Sequence, residues 1–486
     1  MTLRLGGPAL HSGAPWLHVL SGSLRWHRAI PNRRKPMEET KDAFTRSPMT
    51  RRRFLTTTAL AGVGVAAGGS VLAACGGGSS GGGAGGGGKK TGSVTWASWA
   101  NPGEAERFKA YSKDYAKKTG NKITYQTVVG DYKTKLMTQL QGNSAPDAFY
   151  VGDDTIAALI KAKQVVKLDD FLASPDATVN LDDMYTKLLE WCKGPDGGVY
   201  GLTVDCNPKL FWFNRKVLQA AGVDGDPAAW YEAGTWNQDA ITKMLEKVKG
   251  SGKRGYVFEG NWFELFSWIS TFGGKTFDDQ GNPQFADDSK AQDIITWLFD
   301  MMSKDYMSYG GSLPKGQGVD ALFYAGQSSA IGYGRWILPN LKKLKKTVDY
   351  DIAPLPSESG KDVMPVGVYT ACMSVNPKAK NMDVTLKFAS DFVNKDGQQY
   401  RLSGGGNAVP TIKGLESLVT EGNDPAHGKF FSEVAAKGFA VPKLIVSNPE
   451  VATKFSLDID KMLKSKKETP KSFSDKLTAI LTGGGS

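Results

Sequence analysis

Histidine and cysteine are scarce in this chain of 486 residues, which has four of each. Three of the histidines lie before residue 28, so only His427 belongs to the main body. Hydrolases with a Ser-His-Asp or Cys-His mechanism need a histidine base beside a nucleophile, and no nucleophile motif surrounds His427. Neither residue type occurs in the paired spacing of a zinc site. The sequence therefore argues against a histidine-dependent hydrolase and against a zinc protein.

A basic surplus is also missing from the body, although the whole chain has 60 Lys and Arg against 49 Asp and Glu. Residues 1–74 contain 11 basic and 3 acidic residues, which leaves 49 against 46 for the rest. Binding to a nucleic-acid backbone needs clustered cations. We therefore expect no nucleic-acid partner.

Residues 49–74 have the pattern of an export signal. Arginines at 51–53 precede an uncharged stretch rich in Ala, Gly, Thr, Val and Leu, as in a secretory signal peptide. The arginines resemble the twin-arginine export motif, and residues 72–75, Leu-Ala-Ala-Cys, resemble the lipobox of bacterial lipoproteins. This resemblance implies cleavage before Cys75 and lipid attachment to it. An uncleaved membrane-spanning helix is the alternative, but its glycines make the stretch poorly hydrophobic.

The segments around this signal have no pattern of a folded domain. We interpret residues 1–48 as a non-native or disordered extension and residues 75–90 as the lipidated cysteine with a Gly/Ser tether. A tether of this composition reaches about 20 Å over thirteen residues. Its last glycines approximate a phosphate-binding loop, but Lys90 stands where Ser or Thr would hold magnesium. We therefore expect no nucleotide, no metal and no other cofactor.

From Ser93 onward, strand and helix patterns alternate along the chain. A proline opens the first predicted helix and a glycine ends it, at positions typical of these residues. Predicted strands lie at 94–97, 123–125, 148–151, 209–214, 329–331 and 371–375, and predicted helices at 102–119, 132–140, 236–248 and 292–302. This alternation predicts an α/β fold with mostly parallel sheet, and the elements are too many for one sheet of ordinary size.

Of the cysteines of the body, Cys192 lies at the start of a hairpin-like stretch at residues 191–200 and Cys206 follows it. Export would permit a disulfide between them. Two separate half-buried thiols are the alternative, and the sequence does not decide between them.

Short motifs recur in order along residues 91–480. They are Trp96 and Trp99, Pro-Asp at 146–147, Val-Tyr-Gly-Leu at 199–202, Phe-Asn-Arg at 213–215, Ala-Ile-Gly-Tyr-Gly-Arg-Trp at 330–336, Tyr-Asp-Ile-Ala-Pro-Leu-Pro at 350–356 and Ala-Val-Pro-Thr at 408–411. Their order and spacing resemble family 1 extracellular solute-binding proteins, the group of ABC sugar transporter lipoproteins that includes maltose-binding protein.

This resemblance implies a type II periplasmic-binding-protein fold, in which two α/β lobes joined by a hinge enclose a ligand cleft. Lobe 1 would comprise residues 91–206 plus 355–398, and lobe 2 residues 207–354 plus 399–481, with 482–486 as a tail. The implied protein is a monomer without enzymatic activity. It is anchored by its lipid at the outer face of the cell membrane, captures a carbohydrate and delivers it to the permease subunits of an ABC transporter.

Sugars present hydroxyls and flat apolar C–H faces, so carboxylates, amides and aromatic side chains line their sites. In open α/β sheets, ligands lie at the carboxyl ends of strands. That rule points to the loops after Ala97, Val151 and Ile331. The candidate ligand-binding residues are Trp99, Asn101, Asp153, Asp154, Asp205, Asn207, Trp262, Tyr333, Arg335 and Trp336. The glycine-rich loop at 404–407 is a further candidate, for backbone contacts or as a simple turn.

Several candidates have a structural alternative. Asp153 or Asp154 can cap the helix that follows, and Asp154 is preferred because its distance from Asp147 matches the binding acid of the family. Asn207 can serve the hinge, and Arg335 can pair with an acid across the cleft. Asn207 also stands where maltose-binding protein has a carboxylate, so the resemblance leaves the ligand open.

The sequence is also compatible with other functions. Any pair of cleft carboxylates at a suitable separation satisfies the geometry of a glycosidase. Relatives of similar shape carry polyamines, iron complexes or peptides, and a surface lipoprotein without a ligand is a third class.

Overall fold

The computed structural model describes residues 91–483, apart from 101, 129–130 and 316. The predicted signal peptide, lipobox and tether, with Cys75, lie outside the described residues, as does the candidate ligand residue Asn101. Within the described part, no helix has the length and apolar character needed to cross a membrane.

Ten strands form in the described residues. They are β1 (Ser93–Ser98), β2 (Lys122–Thr127), β3 (Ala148–Val151), β4 (Leu202–Pro208), β5 (Leu210–Asn214), β6 (Arg254–Phe258), β7 (Met307–Tyr309), β8 (Ser328–Tyr333), β9 (Tyr350–Ala353) and β10 (Val368–Val375). All six predicted strands are among them.

Seventeen α-helices connect and cover these strands in the described residues. They are α1 (Pro102–Thr119), α2 (Tyr132–Gln141), α3 (Ile156–Lys161), α4 (Asp169–Leu172), α5 (Arg215–Ala220), α6 (Pro227–Glu232), α7 (Gln238–Gly250), α8 (Trp262–Thr271), α9 (Ser289–Ser303), α10 (Val319–Tyr324), α11 (Leu338–Lys343), α12 (Met382–Val393), α13 (Lys395–Leu402), α14 (Phe430–Lys437), α15 (Lys443–Val446), α16 (Pro449–Ser465) and α17 (Pro470–Leu481). The four predicted helices correspond to α1, α2, α7 and α9.

The strands form two five-stranded sheets, in the orders β2-β1-β3-β10-β4 and β7-β6-β8-β5-β9. Each is mixed, which corrects the prediction of mostly parallel sheet: β10 is antiparallel to β3 and β4, and β5 is antiparallel to β8 and β9. Every antiparallel pair includes a strand next to a crossover between the sheets. Such a strand comes from, or leads to, the other sheet, whereas the parallel strands are joined through helices.

The first crossover is very short, because only Lys209 separates β4 of the first sheet from β5 of the second. Its ammonium is fully buried and donates to Glu264 Oε2 and to the Gly332 carbonyl, both at 2.8 Å. Glu264 also accepts from the Tyr256 hydroxyl at 2.7 Å and from Trp268 Nε1 at 2.6 Å. Both charges of this ion pair therefore have further hydrogen-bond partners besides each other, which offsets the cost of burying them.

Each sheet has its own apolar core. In the first, Trp96 is fully buried and contacts Phe108 and Phe392 at centroid distances of 5.2 and 4.9 Å. Its indole N–H donates to Ser112 at 2.9 Å. In the second, every residue of β5 is buried. Strands with no exposed face are those that helices cover on both sides.

The hairpin-like stretch at 191–200 is a tight turn closed by Gly194 N donating to the Gly198 carbonyl at 2.9 Å. Cys192 and Cys206 are both buried and free, so the structure has the two separate thiols rather than a disulfide. Cys192 Sγ lies 3.8 Å from Thr203 Oγ1, and Cys206 Sγ lies 3.7 Å from the Pro410 carbonyl.

Candidate ligand-binding cleft

A cavity of about 590 Å³ opens at the ends of strands from both sheets. Its lining includes residues that follow β1 and β3 of the first sheet, residues within β4 of the same sheet, and Trp336, which follows β8 of the second. These include the strand ends to which the sequence pointed. Residues of β10 and the loop before residue 408 complete the wall.

Trp99 lies just beyond the end of β1 and is 37% exposed, which is unusual for tryptophan. Its ring packs edge-to-face on Tyr132 and Tyr150, at centroid distances of 5.2 and 5.5 Å. Both tyrosines are buried, and Tyr132 donates to the Tyr150 carbonyl at 2.9 Å. The indole is therefore fixed from behind while much of its surface faces the cavity.

Two carboxylates follow β3 at the rim of the cavity. Asp154 is exposed. Its carboxylate accepts hydrogen bonds from Lys133 Nζ at 2.8 Å and from Thr155 Oγ1 at 2.7 Å. Asp153 is half-buried and lines the cavity. Burial, together with the neighbouring charge of Asp154, raises the pKa of Asp153 to about 7. This acid therefore changes charge near neutral pH.

The floor of the cavity includes Asp205 and Asn207 of β4. Arg401 donates to Asp205 Oδ2 at 3.2 Å and to the Val204 carbonyl at 2.7 Å. Burial nevertheless raises the pKa of Asp205, and the guanidinium opposes that rise. Asn207 Oδ1 accepts from the Arg335 backbone N–H at 2.9 Å, which joins the two sheets next to the first crossover.

Aromatic rings form the wall on the side of the second sheet. Trp336 is half-buried, and its ring centroid lies 6.0 Å from that of Tyr369 of β10. Tyr369 in turn stacks on Phe263 at 4.0 Å with an interplanar angle of 19°. A Cβ at position 334 would lie 2.6 Å from the Asn207 Cβ and would overlap the Trp336 ring. Gly334 therefore allows this wall to approach the floor.

Three candidates do not line the cavity. Arg335 is fully buried and donates to the carbonyls of Ala408 and Leu418, at 2.8 and 3.3 Å. The Tyr333 hydroxyl donates to Glu259 Oε1 at 2.7 Å. Trp262 is 7% exposed, and its indole affects the site only by opposing the rise in the pKa of Asp153.

Part of the lining is not among the residues predicted from the sequence, namely Glu104, Tyr132, Lys133, Leu136, Tyr150, Tyr369, Thr370, Ala371 and Asn407. The Tyr150 hydroxyl is buried and has no hydrogen-bond partner in the described residues. Asn407 belongs to the glycine-rich loop that the sequence pointed to only for its backbone.

The cavity's chemistry is that of a binding site for polar groups beside aromatic faces. Its lining has four carboxylates, two amides and one cation, Lys133. Carboxylates and amide oxygens accept hydrogen bonds, while aromatic faces take apolar C–H surface. No cluster of metal-ligating side chains occurs in the described part of the chain. Two α/β lobes around such a cleft define a type II periplasmic binding protein.

Residues 99–400 match the family model described as bacterial extracellular solute-binding protein. This is more than half of the chain, and the chain belongs to that family. The resemblance seen in the sequence is thereby confirmed.

Solved structures share the fold. An ABC substrate-binding protein of Listeria monocytogenes in complex with cycloalternan has a TM-score of 0.69 at 18% identity, covering 82% of this chain and 100% of that one. The GacH receptor of Streptomyces glaucescens, determined without ligand and with acarbose, has a TM-score of 0.66 at 17% identity, covering 82% and 100%. Maltotriose-binding protein of Thermus thermophilus has a TM-score of 0.60 at 19% identity, covering 80% and 99%.

A curated relative, a probable amino-acid ABC transporter periplasmic-binding protein of Sinorhizobium fredii, is 25% identical over 261 residues. The match covers 51% of this chain and 56% of that relative, so it spans little more than half of the relative's length.

Proposed function

We propose that this chain is an exported lipoprotein that captures a carbohydrate, a mono- or oligosaccharide, by closing its two lobes. The observation that carries the proposal is the exposed, rigidly backed indole of Trp99 facing carboxylates and amides in one cleft. A sugar ring can place its apolar face on the indole and donate its hydroxyls to Asp205 and to Asp154 or Asp153. Trp336 supplies a second aromatic face from the other lobe.

The names of the structural relatives support the same ligand class, since the three described above bind cycloalternan, acarbose or maltotriose. The curated relative is named for amino acids. An amino acid brings a carboxylate that needs an available cation. The lining has only Lys133, which pairs with Asp154, while Arg335 and Arg401 are buried in bonds of their own. The cleft therefore favours neutral hydroxyls over an amino acid.

A cationic solute such as a polyamine is the second candidate, because carboxylates outnumber cations in the lining. The positive charge of a polyamine would be attracted by the same carboxylates that, in our proposal, accept hydrogen bonds from sugar hydroxyls. A hydrolase is a further alternative, since acids lie in the cleft. We favour a binding protein because the family and the structural relatives are binding proteins.

In this proposal, Cys75 bears the lipid, the Gly/Ser tether holds the body off the outer face of the cell membrane, and the loaded protein delivers its ligand to ABC permease subunits. We place the lobe boundaries as the sequence predicts, with lobe 1 at 91–206 plus 355–398 and lobe 2 at 207–354 plus 399–481. The crossover itself lies at Lys209, just after the first of these boundaries, which falls within β4, and the boundary at 398 falls within α13.

A thermal-shift screen of the body from Thr91 onward tests the ligand class, with sugars, amino acids and polyamines as probes. A ligand at 100 times its dissociation constant adds about 2.7 kcal/mol of stability. We expect stabilisation by a sugar and no product when the mixture is analysed by chromatography. Stabilisation only by amino acids or polyamines would contradict the carbohydrate assignment, and a hydrolysed product would contradict the binding-protein assignment.

A further inference from the structure

A second and larger groove, of about 950 Å³, lies beside the cleft. Residues 152–155 line the cleft, and the groove begins at the next residue, Ile156 of α3. One wall consists of α3 and the turn at 187–197, on the side of the first sheet. The other wall is the segment 439–450, which includes α15 and the start of α16. The groove and the cleft are therefore lined by adjacent residues at Thr155 and Ile156.

The second wall belongs with the second sheet. Phe455 of α16 packs on Phe266 of α8 at a centroid distance of 5.8 Å, and Tyr309 of β7 donates to Asp460 at 2.7 Å. A molecule in the groove would therefore touch both lobes, as a molecule in the cleft does.

The electrostatic character of the groove is opposite to that of the cleft. Its lining has four lysines and two glutamates. Lys193 pairs with Glu190 at 2.7 Å. The remaining lysines, Lys161, Lys187 and Lys443, have no ion pair among the described residues, and Glu450 is the only other acid of the lining. Four lysines against two glutamates therefore give the lining a net charge of +2.

A buried donor in the same lining lacks an acceptor. Trp191 is 2% exposed, and its indole N–H has no hydrogen-bond partner in the described part of the chain. An unpaired buried donor costs free energy that an acceptor on a ligand would recover. The groove thus offers donors and positive charge, where the cleft offers acceptors.

We propose that this groove binds an anionic sugar unit, one that carries a carboxylate, as the continuation of a carbohydrate chain whose neutral part occupies the cleft. This inference rests on the proposed function and narrows the ligand to an acidic oligosaccharide. The carboxylate lies among Lys161, Lys187 and Lys443, and an acceptor of the same unit takes the Trp191 N–H. Hydrogen bonds to ionised groups are about twice as strong as neutral ones, so the charged end dominates specificity.

The test compares one neutral oligosaccharide with two acidic forms of it. Maltotriose is the first probe, together with the same sugar carrying a carboxylate at its reducing end or at its non-reducing end. Calorimetry at about 0.15 M salt should give an affinity about tenfold higher for one of the two acids. At about 1 M salt the advantage should shrink, because the Debye length falls to about 3 Å.

Two sets of variants locate the effect. The triple variant K161Q/K187Q/K443Q should lose the preference for the acid and keep its affinity for maltotriose. The triple variant K113Q/K253Q/K346Q changes the net charge equally at exposed lysines outside the groove, and should keep the preference. Trp191→Phe removes the donor but keeps an aromatic ring, and should weaken binding of the acid alone.

The outcomes separate this proposal from the carbohydrate assignment. Equal affinities for the neutral and acidic sugars, or a preference that survives the groove variant, would overturn the anionic subsite and leave carbohydrate capture intact.

If no form of maltotriose binds, free glucuronate becomes the probe in a thermal-shift measurement. If glucuronate stabilises the wild type but not the groove variant, the result supports an anionic subsite in the groove. If glucuronate does not stabilise the wild type, the anionic subsite is overturned. A groove variant that impairs transport in cells but binds the acid normally would instead indicate a docking surface for the permease, and would also overturn the proposal.

Discussion

Two tryptophans three positions apart have opposite environments in this protein. Trp96 is fully buried in the core of the first sheet, while Trp99 is 37% exposed in the cleft. The pair therefore provides a matched comparison between structural and binding roles. We expect Trp99→Ala to weaken sugar binding by at least about 2 kcal/mol, roughly thirtyfold, because an aromatic hot spot is lost. Its melting temperature should change little. Calorimetric titration and thermal melting measure both quantities.

Trp96→Ala serves as the control. Removal of a buried tryptophan should cost about 3–5 kcal/mol of folding stability while the affinity of the folded fraction stays near that of the wild type. If Trp99→Ala lowered the melting temperature as strongly as Trp96→Ala and bound sugar normally, the assignment of Trp99 to the ligand would be wrong.

Asp153 makes folding stability depend on pH. Its pKa is about 7 in the folded protein, against an ordinary value of 3.8. Between these values the folded state holds a proton that the unfolded state has lost, so its contribution to stability is present at low pH and disappears as the pH rises through 7. Asp153→Asn should therefore reduce the loss of stability between about pH 4 and pH 7 in denaturant titrations. Asp176→Asn, an exposed acid elsewhere, should behave as the wild type.

Ligand affinity should follow the opposite trend with pH. An ionised Asp153 accepts a ligand hydroxyl better than a protonated one, so binding favours loss of the proton. We expect affinity to increase as the pH rises through 7 in the wild type and to be independent of pH in this range in Asp153→Asn. Calorimetric titration with sugar at several pH values around 7 measures this affinity. A pH dependence that persists in the variant would show that another group titrates.

At the scale of elements, the sequence predicted best those segments whose local signals agree. α1 begins at Pro102 and ends just before Gly120, as the two boundary residues indicate. β3, with four consecutive buried residues, matches its predicted range. The mixed sheets were not predictable from local patterns. Strand direction depends on where the chain crosses between sheets, and no pattern in β4 or β5 encodes that crossover.

The candidate cleft was predictable to the extent that it follows strand ends. That rule led to Trp99, Asp153 and Trp336, which line the cavity. It missed Tyr369 and Asn407, because both reach the cleft from segments more than 160 residues away in sequence from β4. Arg335 differs from its neighbour Trp336 because successive side chains point in different directions, and a resemblance between motifs does not resolve which of them faces the cavity.

The loop after β8 provides a test at this scale, because Gly334 allows it to approach β4. Gly334→Ala would place a methyl group against Trp336 and Asn207. Overpacking typically costs about 1–3 kcal/mol, so we expect an affinity loss of about tenfold from displacement of these two cleft residues. Gly250→Ala is the control, since a Cβ there has no neighbour within 4 Å. Normal sugar affinity in Gly334→Ala would contradict the role of this loop in the cleft.

At the scale of the whole molecule, anchoring and binding should be separable. In our proposal Cys75 carries the lipid, and the tether separates it from the body. We expect Cys75→Ala to abolish lipid labelling and membrane association in cells, while the body from Thr91 onward still folds and binds sugar. Metabolic labelling with a fatty acid and membrane fractionation measure the first part. Loss of binding by the isolated body would contradict this modular organisation.

The connections between the sheets bear on how the molecule closes. Lys209 is the sole residue between β4 and β5, and its side chain is fixed in the second lobe by Glu264 and Gly332. Rotation at this crossover would therefore move the second sheet as one body relative to the first. The cleft and the neighbouring groove both have walls from the two sheets, so one rotation changes the width of both.

This geometry predicts a smaller radius of gyration in the sugar complex than in the free protein, measured by small-angle X-ray scattering. A ligand stabilises the closed form only through contacts that it makes in the closed form and not in the open form. Trp99→Ala and Trp336→Ala each remove an aromatic face from one lobe, so more sugar should be needed for the same contraction. In Trp336→Ala the fully bound complex should also be less completely closed, because the second lobe has lost its contact. A wild-type complex that forms in calorimetry without any contraction would show that capture occurs in a rigid cleft, and the hinge at Lys209 would then have no role in binding.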